Sequence, residues 1–255
     1  MDTSVRRAQH GEDVLLAERF SAKHGGGFVE VGALDGDFLS NSYYFEKALN
    51  WTGVLIEANP SQAELCRRNR PRSQVVNCAV VAPGAPPNVA FQVAEGNEAY
   101  STLSPNRLYA GLLRERNIST TGVVVPAATL DTILENAQIS SIDFVTIDVE
   151  GHEHDVVRGF DLRRWSPTVV LVESAGGAPN IFIALRMFRA GYARSRRVVI
   201  NDWYEPAPPF TRVRRLVVSF VVSVPDIARM LVRESLRSAG VLDGLRVRRA
   251  RRRTR

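Results

Sequence analysis

The sequence predicts an α/β fold, a doubly wound and mostly parallel sheet with helices on both faces. Three observations predict it. Short β-rich apolar runs alternate with helical stretches, as in strands joined by crossover helices. Six or seven such runs fall within 255 residues, which suits one large domain with a single core. The composition, 45% hydrophobic and 24% charged, excludes a disordered, collagen-like or membrane-embedded chain.

A lead-in helix is expected over 11–23. The first strand, 28–31, stops at Gly32, and a helix follows over 42–49. The second strand is 53–57. Pro60 then stands in the first turn of a helix running to about Asn69, where proline costs no hydrogen bond. A third strand is expected over 75–81, and the turn residues of 83–88 predict a hairpin over 80–93. The polar stretch 94–122 reads as an irregular functional loop. Beyond it come a helix over 130–137, a strand over 142–147, a helix over 153–160 and a strand over 168–173. A helix over 179–190 is closed by Gly191. Runs at 198–200 and 216–222 are expected to close the sheet. Residues 1–210 form the expected domain, and 211–255 supply a closing strand, an amphipathic helix over 227–239 and a disordered basic end.

In such folds ligands bind beyond the carboxyl ends of the strands. The first strand ends in Glu30-Val31-Gly32, and the turn continues through Asp35 and Gly36. The pattern lacks the middle glycine that admits a pyrophosphate, so a nicotinamide dinucleotide fits poorly. A ligand with an amino-acid end fits better. Glu30 would meet its ammonium, and Ser40, Asn41 and Ser42 its carboxylate. Glu57 ends the second strand about 20–25 residues on, where an acid accepts from a ribose diol. The plainer reading of Glu57 is a surface cap for the Pro60 helix. Asn77 and Cys78 end the third strand, where an adenine would lie. The fourth strand runs into Asp148, Glu150, His152 and Glu153, the densest titratable cluster in the chain. His152 and His154 are too close in sequence to share a helix face, so zinc is not expected.

These residues together resemble the FkbM family of S-adenosylmethionine-dependent methyltransferases. The resemblance covers roughly residues 9–200. It takes in Gln9-His10-Gly11-Glu12-Asp13, Phe28 to Ala33, Asp35-Gly36 and Ser40-Asn41-Ser42. It continues through Trp51-Thr52-Gly53, Ile56-Glu57-Ala58-Asn59-Pro60, Ser101-Thr102-Leu103, Thr129-Leu130-Asp131 and Ile147 to Glu153. Ala58 departs from a frequent proline. The resemblance implies a class I methyltransferase fold, S-adenosyl-L-methionine as cofactor, and O-methylation of a sugar, glycolipid or natural-product hydroxyl.

An alcohol needs a base before it attacks a methyl group. Asp148 or His152 is the expected base, with Glu150 and Glu153 orienting. A divalent metal on Asp148 and Glu150 is a further route, not the expected one. Glu173, Glu12 and Tyr100 are expected around the acceptor. Two other functions compete with this one. A non-catalytic S-adenosylmethionine-binding module has no reason to assemble the 148–153 cluster. An RNA methyltransferase needs a basic body.

The charge speaks against the second. The chain carries +6, yet 13 arginines and only three acids fall in 211–255, leaving residues 1–210 net acidic. No nucleic-acid partner is therefore expected, and the basic tail suggests peripheral contact with a membrane. Residues 1–14 hold no apolar signal segment, and the two cysteines, Cys66 and Cys78, make no metal or redox spacing. A cytoplasmic protein is expected, peripheral to the inner membrane face through its tail.

Overall fold

The computed structural model describes residues 5–103, 107–174 and 180–220. Helix α1 spans Glu12–Arg19, strand β1 Gly27–Val31, α2 Tyr43–Leu49, β2 Thr52–Glu57, α3 Pro60–Asn69 and β3 Gln74–Asn77. Then come β4 (Ala79–Val80), β5 (Asn88–Ala94), a short 3-10 turn at Glu98–Tyr100, α4 (Arg107–Glu115) and β6 (Thr120–Ala128). The second half holds α5 (Leu130–Asn136), β7 (Phe144–Ile147), α6 (Glu153–Arg158), α7 (Leu162–Trp165) and β8 (Val169–Glu173). It ends with α8 (Ile181–Ala190), β9 (Tyr192–Val198), β10 (Asn201–Pro206) and a helix over 209–220, here α9.

Seven strands form one sheet in the order β3-β2-β1-β7-β8-β10-β9. Only β10 runs against its neighbours. This order, with one reversed strand near the edge, is the class I methyltransferase fold. Every residue of β1, β7 and β8 is buried, as expected of parallel strands covered on both faces. Alternation along β1 sends Val29 and Val31 into an aliphatic core with α5, α6 and α8. Phe28 goes to the opposite face, where Trp51 packs edge-on to Phe20 and Phe45 at centroid distances of 5.3 and 4.8 Å. Side-chain caps fix the helix starts: Asn59 accepts from Ser61 N–H before Pro60, Thr129 from Thr132 N–H, and Asn180 from Phe182 and Ile183. Gly191, at φ 103°, ends α8 as expected.

Four expectations are corrected. The 75–81 run is two strands: β3 stays in the large sheet, and β4 leaves it at Cys78 to pair with β6. The 80–93 hairpin does not form, because β5 pairs antiparallel with β6, Asn88 against Pro126 through Ala94 against Thr120. The 94–122 stretch is therefore not one irregular loop; it holds α4 and the start of β6. Finally, 216–220 is helical rather than a strand. The sheet is closed by β9 and β10, and 199–200 is the turn between them, with Val199 at φ 51°. Helix α9 lies on the body through Arg212, which donates to the Phe188 carbonyl at 3.2 Å, and Arg215, which donates to the Arg194 carbonyl at 3.0 Å. The expected helix over 227–239 and the basic end lie outside the described residues. Among the described residues no helix is long and apolar enough to cross a membrane.

Candidate active site

A cleft of about 740 Å³ opens over the carboxyl ends of β1, β2, β7 and β8. Its first wall is the turn after β1. Glu30 shares a strand face with Phe28 and is buried beneath this turn. Its Oε1 accepts from Asn41 N–H at 2.8 Å, and its Oε2 accepts from the Ser40 hydroxyl at 2.8 Å and from the Ser42 hydroxyl. The fully buried Arg70 guanidinium lies 3.8 Å from Glu30 and donates to Glu46 at 3.0 Å, to the Gly36 carbonyl at 3.0 Å and to Ser42 Oγ at 3.0 Å. The Ser42 hydroxyl and Asn41 amide are thus spent on Glu30 instead of standing free for a ligand carboxylate. The acid itself organises the loop. Asn41 keeps one free group, since its buried Oδ1 has no hydrogen-bond partner among the described residues. Arg70 and Glu46 carry no motif, and the sequence offers no signal for them.

Gly32 is required for a reason other than ligand approach. At φ 85°, an added Cβ would lie 1.7 Å from the Asp148 carbonyl oxygen. The ends of β1 and β7 therefore touch. Gly36, at φ 76°, is closed by Cys66 Sγ and Arg70 Cγ, each 2.7 Å from where a Cβ would be. Asp35 folds the turn by accepting from the Asp37 and Phe38 amides at 3.0 and 2.8 Å. All three residues border or support the cleft; Gly32 and Asp35 line it.

Glu57 forms the second wall and is buried, not a surface group. It accepts from Leu34 N–H at 2.8 Å and from Asn59 N–H at 2.7 Å. The cap of α3 is Asn59, so the plainer reading of Glu57 is set aside. Burial pushes the Glu57 carboxyl up to about 7, against the opposing pull of these amides. Asn77 is corrected: it does not line the cleft, and its amide donates to the Glu57 and Ala58 carbonyls at 2.8 and 3.0 Å from behind. Cys78 does line the cleft, and burial raises its thiol pKa.

Asp148 leaves the end of β7 with its carboxylate open to the cleft, while protein surrounds it on the remaining sides. It is hydrogen-bonded to Glu173 at the end of β8. Oxygens of Asp148, Glu153 and Glu173 all lie within 4.8 Å of one another. Crowding of this kind keeps a proton in the cluster. Burial, followed by the Asp148 charge, pushes the Glu173 carboxyl up to about 10. Burial raises Asp148 as well, with Glu173 opposing as hydrogen-bond donor. Glu153 accepts from Gly151 N–H at 2.9 Å and Val149 N–H at 3.3 Å, holding the loop between β7 and α6.

That loop changes the direction of the chain before α6. Glu150 at φ 54° and Gly151 at φ 101° are both left-handed. Glu150 still lines the cleft, and its carbonyl accepts from the buried Thr102 hydroxyl at 3.1 Å. His152 is not among the residues that line the cleft, and its Nδ1 lies 3.4 Å from Asp155 on α6, so the lining lends its expected role as base no support. Glu12 also stays outside, accepting from His10 N–H and from Asn201. Tyr100 lines the cleft as expected, on a flap over 96–103 pinned by the Gln92–Thr102 bridge.

The lining includes Glu30, Asp35, Glu57, Glu98, Asp148, Glu150 and Glu173, with no lysine, arginine or histidine among the described residues. Ile56, Cys78, Val80, Leu65 and Phe91 give it apolar surface. A cationic ligand without phosphate suits such a surface.

A family model described as the methyltransferase FkbM domain matches residues 30–194, well over half of the chain. No curated protein matches. Among solved structures, the chain is similar to MtNAS in complex with MTA and tNA, at 10% identity and a TM-score of 0.39, covering 77% of this chain and 61% of that one. It thus spans about three fifths of that protein's length. It is similar to a TehB-like SAM-dependent methyltransferase from Corynebacterium glutamicum, at 8% identity and a TM-score of 0.40, covering 78% and 89%. It is also similar to a precorrin-6y C5,15-methyltransferase from Geobacter metallireducens, at 10% identity and a TM-score of 0.42, covering 82% and 93%. At these TM-scores the likenesses carry nothing about chemistry.

Proposed function

The chain belongs to the methyltransferase FkbM domain family, and we propose that it methylates a hydroxyl group on an uncharged or ammonium-bearing acceptor of the sugar, glycolipid or natural-product class. The carrying observation is the position of Asp148 in the cleft, hydrogen-bonded to Glu173 and with its carbonyl against the Gly32 turn.

S-adenosylmethionine is the cofactor, and when bound it supplies a methyl group on a sulfonium. The cleft fits it. Glu57 has lone pairs left over for a ribose diol, Asn41 Oδ1 is an unused acceptor for an ammonium, and the apolar surface near Cys78 suits an adenine. The absence of basic side chains among the described lining residues suits a ligand with no phosphate.

The chain's own work is orientation and proton transfer. Asp148 Oδ accepts the proton of the acceptor hydroxyl as the oxygen becomes nucleophilic. Glu173 donates a hydrogen bond to Asp148 and fixes which oxygen faces the acceptor. The raised Asp148 pKa makes it a stronger base than an ordinary carboxylate. The proton then leaves through the open mouth of the cleft. The acidic lining repels phosphate or carboxylate groups near the reacting hydroxyl, and a phosphodiester chain equally.

The test is methyl transfer from isotopically labelled S-adenosylmethionine to a panel of neutral glycans, amino sugars and phosphorylated sugars. Mass spectrometry of a deletion strain, seeking a compound lighter by one methylene, identifies the natural acceptor. Label on neutral or amino sugars is expected. Label confined to phosphorylated sugars, or to an amine nitrogen, overturns the proposal. Activity abolished by a chelator and restored by a divalent cation would assign the carboxylate cluster to a metal instead of a shared proton.

A further inference from the structure

Helix α9 turns one face inward. Leu216 packs against the aliphatic core, Ser219 is buried, and Arg212 and Arg215 donate to carbonyls of the body. Its outer face is apolar. Phe210, Val213, Val217 and Phe220 recur at helical spacing along one stripe, exposed by 81, 52, 56 and 53%. Val218, at 49%, widens the stripe. These five are nearly half of the large exposed hydrophobic side chains among the described residues, all gathered between positions 210 and 220. A contiguous patch of this kind marks an interaction surface.

Its charge identifies the partner. Arg214 is exposed among the apolar residues. Residues 221–255, which continue directly from the helix, contain ten arginines and three acids. The remainder of the chain, 1–210, is net acidic. Apolar side chains flanked by arginine, on a helix too short to span, are the composition of a helix lying in a membrane interface. Each arginine close to an anionic leaflet adds electrostatic attraction that salt weakens. A second copy of this chain would bring two such arginine-rich segments together, and like charges oppose that pairing.

We propose that α9 docks the protein on an anionic lipid surface, the apolar stripe entering the acyl boundary and Arg214 meeting the headgroups, with the net positive charge of residues 221–255 adding to the attraction. The helix contacts advance from Phe188 at the end of α8 to Arg194 within β9, so α9 runs alongside β9 toward the end of the sheet where the cleft opens. The inference is independent of the acceptor proposed above.

Sedimentation of the full-length protein with vesicles tests it. Vesicles of phosphatidylcholine alone are compared with vesicles containing a third phosphatidylglycerol, at low and high salt. Binding is expected to the anionic vesicles only, and to fall with salt. The exposed double variant V213D/V217D should bind at least tenfold more weakly, with unchanged melting and unchanged S-adenosylmethionine binding. R251Q/R252Q/R253Q should also weaken binding, by a smaller factor, and flatten the salt dependence. Failure of the wild-type protein to bind anionic vesicles at low salt overturns the proposal, as does equal binding by V213D/V217D. A wild-type dimer that V213D/V217D converts to a monomer, without vesicle binding by either, assigns the stripe to a second copy.

Discussion

Asp148→Asn removes the proposed proton acceptor while keeping shape and a hydrogen-bonding group. It should slow turnover by about 10²–10⁴ and change S-adenosylmethionine affinity only a few-fold, as read by single-turnover kinetics beside calorimetry. His152→Ala, which removes a side chain facing Asp155, should leave the rate within about threefold of wild type; a larger fall would return His152 to the mechanism. Activity should rise with pH through the raised Asp148 pKa, because below it the carboxyl is protonated and accepts nothing. Glu57→Ala should weaken S-adenosylmethionine binding by about 10–100-fold, since hydrogen bonds to a charged group contribute about 1.5–3 kcal/mol each and water replaces part of that. The acids at the strand tips are legible in the sequence because topology decides where ligands sit. Where each side chain turns is not. His152 escapes prediction because Glu150 and Gly151 adopt left-handed conformations in succession, which ends the alternation that a continuing strand would keep. Ser42 and Asn41 resemble ligand donors because the sequence does not say that Glu30, some ten residues earlier, already holds them.

The loop after β1 depends on one ion network, Glu30–Arg70–Glu46, from β1, α2 and the end of α3. Arg70→Met would leave the buried Glu30 without its cation, and the buried Glu46 with Lys47 alone at 3.9 Å. Breaking a buried pair in this way costs about 3–5 kcal/mol, and urea unfolding should show a loss of that order, with S-adenosylmethionine affinity falling as the 32–42 loop loosens. Unchanged stability would mean that the acids take up protons at little cost. The central strands are readable because their apolar runs are continuous and buried on both faces. The pairing of β5 with β6 is not, since it joins segments some thirty residues apart whose burial alternates weakly. Strand β9 is hidden for the opposite reason: its sequence, YARSRRV, is dominated by arginine, as an edge strand tolerates. The valines of 217–218 favour a strand on propensity, yet Arg212, Leu216 and Ser219 lie at helical spacing on the face that meets the body.

The folded molecule holds protons that its unfolded chain would release. Glu57 rises from an ordinary 4.5 to about 7 and Glu173 to about 10. A carboxyl whose folded pKa is raised makes the fold most stable below its unfolded pKa, and stability declines as pH climbs toward the folded value. For Glu57 the window runs from 4.5 to about 7, and the loss is about 3 kcal/mol. Glu57 alone should therefore lower the melting temperature of the ligand-free protein by on the order of 5–10 °C between about pH 5 and pH 8, and the raised Glu173 adds to the fall in the same direction. S-adenosylmethionine, as a cation, should restore more of it at the higher pH. A melting temperature that rises across this range would show that the acids are ionised in the fold. The contact between Gly32 and the Asp148 carbonyl bears on how such an enzyme can be redesigned. A Cβ at position 32 would collide with the backbone of Asp148, so Gly32→Ala should abolish soluble expression or activity outright. In a directed-evolution library this position should return glycine alone. New acceptor preferences should instead accumulate in the 96–103 flap, which meets the loop after β7 through the Thr102 side chain and can vary without disturbing the joined strand ends.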